Sequence, residues 1–172
     1  MLTVQDYVRR YFDMRAAQLL DAPPEIRAEF TFRETPQPPK PLQALESRLP
    51  VALPATFRTY LTCGSFAAIE AGDYMLPGVP KDDPLTLAET FLLCNELWPL
   101  GYLQFGCGPC GDPLCFDIAQ ATQSTDYPIV CIDHDQAPHN AWQNREALQP
   151  ACQTVAPSFL ALLAKLCDPR EI

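Results

Sequence analysis

The stretch GCGPCGDPLCFD, Gly106 to Asp117, allows three incompatible local structures, and the choice among them sets the reading of the chain. Cys107-Gly108-Pro109-Cys110 is spelled like the dithiol of thioredoxins, with Cys115 five residues further on. Such a dithiol needs a helix immediately after it, because the helix dipole and free amides stabilise the attacking thiolate. Here Gly111-Asp112-Pro113 follows, a turn-forming run in which the proline disfavours helical backbone at Asp112. Beyond it Leu114, Phe116 and Ile118 alternate with Cys115 and Asp117, the pattern of a half-buried strand. Phe105-Gly106 also stands where a thioredoxin carries a tryptophan. A zinc site would need four tetrahedral ligands. Cys107, Cys110 and Cys115 with Cys131 or His134 are the available set, but Cys115 and Cys131 fall within expected strands. Turn chemistry accounts for 106–113 as the loop of a β-hairpin. The hairpin is the favoured reading; a CxxC-dependent zinc-binding or thiol-redox protein is the alternative.

Working outward, Tyr102 to Phe105 reads as the strand before the loop. Ile129 to Ile132 is an uninterrupted apolar run, as expected of a strand covered on both faces. A closing helix is expected over 157–167, another over 86–97, and a short hairpin over 67–76 that turns at Ala71-Gly72-Asp73. Pro54 opens a helix that puts Phe57, Tyr60 and Leu61 on one face, with Gly64 as its left-handed terminus. Leu45 and Leu49 suggest a short helix before Pro50. At the start of the chain, Thr3 and Asp6 form a capping-box pattern for a helix over 3–21, stopped by Pro23-Pro24. Residues 25–34 are ambiguous between a helical turn and a strand carrying Phe30 and Phe32. The proline cluster ETPQPPKP reads as an extended, non-helical linker. Two regions are therefore expected, an N-terminal helix and linker over 1–40 and a domain over 41–172.

Charge is unevenly placed. The chain carries a net −9, yet between Phe66 and Asn140 eleven acids face the single base Lys81, so this segment holds −10 and the remainder +1. Phosphate repulsion then argues against nucleic acid or an anionic membrane as partner. A basic protein is favoured, since opposite fields speed encounter. Asp82, Asp83, Glu89, Glu96, Asp112, Asp133 and Asp135 are the expected charged contacts, with Trp98, Tyr102 or Trp142 as aromatic anchors. No Walker loop, dinucleotide fingerprint, GxSxG or HExxH occurs, and no catalytic residue or cofactor is expected. Asp133-His134-Asp135 reads as a strand end entering a surface loop rather than an acid–base centre. The N-terminus carries charges through its apolar pattern, unlike a signal or transit peptide, and no apolar run reaches the length of a membrane span. The eight cysteines are scattered, many in apolar runs, which suits reduced, buried thiols and a cytoplasmic protein.

From Ala44 onward the order of features resembles the SMI1/KNR4 family, also called the SUKH superfamily. Glu46, Leu49, Leu53-Pro54, Phe57, Arg58, Tyr60 and Leu61 fall in the family's order, although Cys63-Gly64-Ser65 replaces its usual Asn-Gly-Gly. Gly101 to Gly106, Gly111-Asp112, Leu114-Cys115-Phe116-Asp117, PIVCIDHD (128–135) and Ala156 to Leu163 are similar to its later strands and closing helix. The resemblance implies an α+β fold, a mainly antiparallel central sheet flanked by helices, to which this chain adds an N-terminal helix. It also implies a non-enzymatic protein-binding role. Many bacterial members are immunity proteins that neutralise a cognate toxin, often a nuclease; others are regulatory scaffolds of the SMI1/KNR4 type. Together with the charge, it makes an immunity protein with a basic toxin partner the leading expectation.

Overall fold

In the computed structural model, residues 2–35, 39–120, 126–138 and 141–167 are described. The first helix, α1 (Val4–Gln18), starts as its sequence requires: the Thr3 hydroxyl accepts the Asp6 N–H, while the Asp6 carboxylate accepts the Thr3 N–H. Its spacing buries Val4, Val8, Tyr11 and Phe12. Six strands follow, β1 (Ile69–Ala71), β2 (Tyr74–Leu76), β3 (Tyr102–Cys107), β4 (Pro113–Asp117), β5 (Ile129–Ile132) and β6 (Cys152–Ala156). They form one sheet in chain order, with every neighbouring pair antiparallel. Between and around them lie α2 (Pro24–Glu29), α3 (Pro39–Glu46), α4 (Ala55–Thr62), α5 (Thr86–Leu92), α6 (Arg145–Leu148) and α7 (Phe159–Leu166).

Alternation along the strands divides the core in two. Leu114, Phe116, Ile129 and Cys131 face the main core beneath α1, α4, α5 and α7. Cys115, Val130 and Ile132 face a smaller cluster closed by Leu97, Leu100, Ala141 and Leu148. The expected strand over 129–132 is buried on both faces, as its unbroken apolar run requires. β4 is too, so its alternation marks two different cores rather than core and solvent. The antiparallel sheet flanked by helices makes this an α+β fold with an added N-terminal helix. No helix among the described residues is long and apolar enough to cross a membrane.

Several local expectations change. The proline segment is not wholly extended: α3 begins at Pro39, and Pro39 and Pro41 occupy its first turn, where a missing N–H costs no helical bond; residues 36–38 lie outside the described residues. The ambiguous stretch 25–34 is both things in succession, the end of α2 and then an extended run whose Arg33 pairs with Ser65. Gly64 is absent from the left-handed positions, and α4 ends on Cys63 in right-handed backbone. A side chain at 64 would sit 2.5 Å from the Phe32 ring and 2.6 Å from the Arg33 carbonyl, so close approach explains this glycine. The helix over 86–97 stops at Leu92 and is replaced by a 3₁₀ turn over 95–100. β6 and α6 were not expected; β6 is a short edge strand with two exposed residues between Pro150 and Pro157.

The N-terminal region closes the other sheet edge. Glu70 of β1 has its N–H and C=O directed at the Tyr11 hydroxyl, which accepts from the former at 3.0 Å and donates to the latter at 2.7 Å. An edge strand is thus satisfied by a helix side chain rather than left for another chain to pair with. Tyr11→Phe should lower stability by about 1–2 kcal/mol through the unpaired edge groups, measured by urea unfolding. An unchanged midpoint would show that the hydroxyl carries no structural role.

Candidate interaction surface

Strand register decides which loops share an end of the sheet. Met75 pairs with Cys107, Cys107 with Pro113, Leu114 with Cys131, and Ile132 with Cys152. The β1–β2 turn, the β3–β4 loop and the segment leaving β5 therefore meet at one end. Gly72, with φ +56°, makes the first turn. In the second, Gly108 N–H donates to the Asp112 carbonyl and Asp112 N–H to the Pro109 carbonyl. Cys110 and Gly111 both take left-handed backbone, φ 53° and 85°. Glycine is required at 108, where a Cβ would collide with the Cys131 sulfur. The expected hairpin is what joins β3 to β4, and no helix follows Cys110 beyond a single 3₁₀ turn over 109–111.

Asp112 anchors this end. It is only 7% exposed, and its Oδ1 lies 3.0 Å from the His134 N–H and 2.5 Å from His134 Nδ1. His134 Nε2 is 3.5 Å from an oxygen of exposed Asp135. Hydrogen bonding to Asp112 raises the His134 pKa above the ordinary 6.5. Asp133 shapes its own loop by accepting the N–H groups of Asp135 and Gln136 at 3.0 Å. Tyr74, Pro109, Asp112, Cys131, Asp133 and Gln153 line a cavity of about 110 Å³. Asp73, in the first turn, is exposed beside it.

The thiols are not arranged as either alternative centre requires. Burial raises the Cys107 pKa, and burial with the Asp112 and Asp133 carboxylates pushes Cys131 up to about 11. A nucleophilic thiol needs the opposite environment. Of the candidate zinc ligands, Cys115 and Cys131 face opposite sides of the sheet, Cys110 is exposed at the loop tip, and His134 is engaged by Asp112. Among the described residues no group of three or more His, Cys, Asp or Glu is placed to hold a metal ion.

A family model, SMI1 / KNR4 family (SUKH-1), matches residues 38–165. The chain belongs to the SMI1/KNR4 family. No curated protein and no solved structure matches it. The matched range begins just before α3 and takes in the whole sheet, leaving α1 and α2 outside the SUKH-1 portion.

Within this SUKH-1 domain the expected contact residues separate. Asp133 and Asp135 meet at the sheet end just described, where sequence reasoning missed Asp73 and Tyr74; the Gly72-Asp73 turn was their only sequence signal. Asp82 and Asp83 are exposed near α5, where Asp83 and Glu89 share an open groove with Thr86, Thr90 and Leu93. Glu96 is exposed on the following 3₁₀ turn. Asp112 departs from the expectation of a free surface charge, because the hairpin and the His134 loop enclose it. Tyr102 departs further: it is 1% exposed, beneath the guanidinium of Arg145 at 4.3 Å from the ring centre. Trp98 and Trp142 are half-buried, packed on the main and second clusters respectively.

Asp117, which was not among the expected contacts, is buried with a charged partner. It is 2% exposed, and both carboxylate oxygens lie 2.8 Å from Arg145 Nη2. Arg145 Nη1 donates to the Leu100 carbonyl at 2.8 Å, so one side chain ties α6 to the start of β3 and the end of β4. Nothing in a pair 28 residues apart announces it in sequence.

Two outcomes follow from these pairs. Arg145→Ala should cost about 3 kcal/mol, because it strands a buried carboxylate; a loss below about 0.5 kcal/mol in chemical unfolding would mean the pair is solvated like a surface bridge. A histidine whose folded pKa is raised adds stability fully present below its unfolded pKa and lost as pH rises through the folded value. In an NMR titration His134 should therefore titrate above 6.5, and Asp112→Asn should lower its midpoint. Equal midpoints in the two proteins would contradict the pairing.

Proposed function

We propose that this SMI1/KNR4 chain is a non-catalytic protein-binding module, a bacterial immunity protein that neutralises a basic cognate toxin in the cytoplasm. The observation that carries the reading is the gathering of Asp73, Asp133 and Asp135 on adjoining loops at one end of the sheet, around Tyr74 and the small cavity. Membership of a family that includes immunity proteins supports the biological role.

Acids on adjoining loops sum their fields in the direction the loops face. Such a field raises the rate of encounter with a cationic partner and disfavours anionic ones, nucleic acid included. The rigid hairpin beneath supplies a surface with little ordering cost, which favours tight binding over loose contact. Binding there would act by occlusion: the module covers the toxin's basic active surface and performs no chemistry on it. Asp82, Asp83, Glu89 and Glu96 extend the same sign of charge along the α5 side and add to steering.

Affinity capture from the native cell, followed by titration with the purified partner, tests the reading. The partner should be basic, and affinity should fall steeply between about 50 and about 300 mM salt. Asp133→Lys with Asp135→Lys should weaken binding at least about tenfold. An acidic partner, or affinity indifferent to these reversals, would sink the proposal.

A further inference from the structure

A second surface has the opposite sign. Where the extended run after α2 meets the SUKH-1 domain there is a groove of about 340 Å³. Glu29 and Arg33 line it from outside the matched range, and Ser65, Phe66, Ala67 and Lys81 from inside it. The groove rests on three extended segments joined by two isolated bridges, Arg33 to Ser65 and Phe66 to Val79.

Three features of its lining call for a ligand. First, neither Arg33 nor Lys81 has an ion-pair partner among the described residues. Glu34, next to Arg33, is taken by Arg9 at 2.8 Å and by Gln5 at 2.6 Å. Two cations against Glu29 leave the groove positive in a chain of net −9. Second, Ser65 lines the groove, and its hydroxyl makes no hydrogen bond among the described residues. A free hydroxyl there can donate to a bound carboxylate. Third, Ala67 lies between the Phe66 bridge and β1 and makes no main-chain hydrogen bond among the described residues. Free main-chain groups beside a groove are what an extended peptide pairs with.

We propose that this groove binds an extended acidic peptide segment. Its main chain pairs with Ala67, and a carboxylate side chain reaches Arg33 and Lys81 with the Ser65 hydroxyl donating to it. The N-terminal region then has a binding role as well as an edge-closing one. The site is separate from the acidic sheet end and stands or falls independently of it.

The test is a titration of the full-length, ¹⁵N-labelled chain with acetyl-Val-Glu-Val-amide, with acetyl-Val-Gln-Val-amide and with free glutarate. The Glu peptide should shift the amides of Arg33, Ser65, Ala67 and Lys81. The Gln peptide and glutarate should bind at least about tenfold more weakly, lacking the charge-assisted bonds and the main-chain bonds respectively. Arg33→Ala with Lys81→Ala should give a similar loss, and Ser65→Ala a loss of a few-fold. Equal binding of the Glu and Gln peptides, glutarate binding as tightly as the Glu peptide, shifts confined to other residues, or no shift at millimolar peptide would each overturn the proposal. The comparison of peptides needs only the natural chain, so it decides the matter even if a variant fails to fold.

Discussion

Phe57 is the contact on which the arrangement of the domain depends. Its ring lies 5.8 Å from Tyr60, 5.4 Å from Phe105, 5.3 Å from Phe116 and 4.9 Å from Phe159. One side chain of α4 thereby fixes β3, β4 and α7 against each other, with Phe105 stacked on Phe116 at 4.1 Å beneath it. Each such pair adds about 0.5–1.5 kcal/mol beyond simple burial. Once Phe105 and Phe116 face α4, the pleat sends Cys115 to the other side and carries the 108–112 loop beyond the sheet. The register that gathers the acidic loops is thus a consequence of an aromatic core some distance from them.

The same packing sorts the charge. Two of the eleven acids between Phe66 and Asn140 are buried, Asp117 against Arg145 and Asp112 against His134. These hold helix α6 and the His134 loop in place and contribute little to the outward field. Glu70, Asp73, Asp82, Asp83, Glu96 and Asp135 remain exposed. Net charge alone overstates the surface charge; burial decides which carboxylates a partner meets. The groove at Arg33 and Lys81 gives the molecule two surfaces of opposite sign, one assembled by the sheet and one by the N-terminal region.

Much of the fold was legible because local chemistry and tertiary placement agree. Gly111-Asp112-Pro113 excludes a helix after Cys110, and the structure has a hairpin there. Thr3 and Asp6 cap α1 as their spacing suggests. Misreadings arose where a residue answers to something distant in sequence. Gly64 is small because Phe32 and Arg33 press on it, not because a helix must end left-handed. Pro39 and Pro41 sit in a helix because its first turn tolerates them. Tyr102 was expected as an aromatic anchor, but Arg145 covers its ring. The candidate surface was half legible: Asp133 and Asp135 stand out by composition, but only register brings Asp73 and Tyr74 beside them.

The most direct test of the acidic sheet end as the binding surface is amide hydrogen exchange on the chain alone and bound to its captured partner. Protection should appear in 72–74, 108–112 and 133–137, with α1 and the Arg33 groove unchanged. Protection confined to α1, α2 and the Arg33 groove, with those three loops exchanging as in the free chain, would contradict the account.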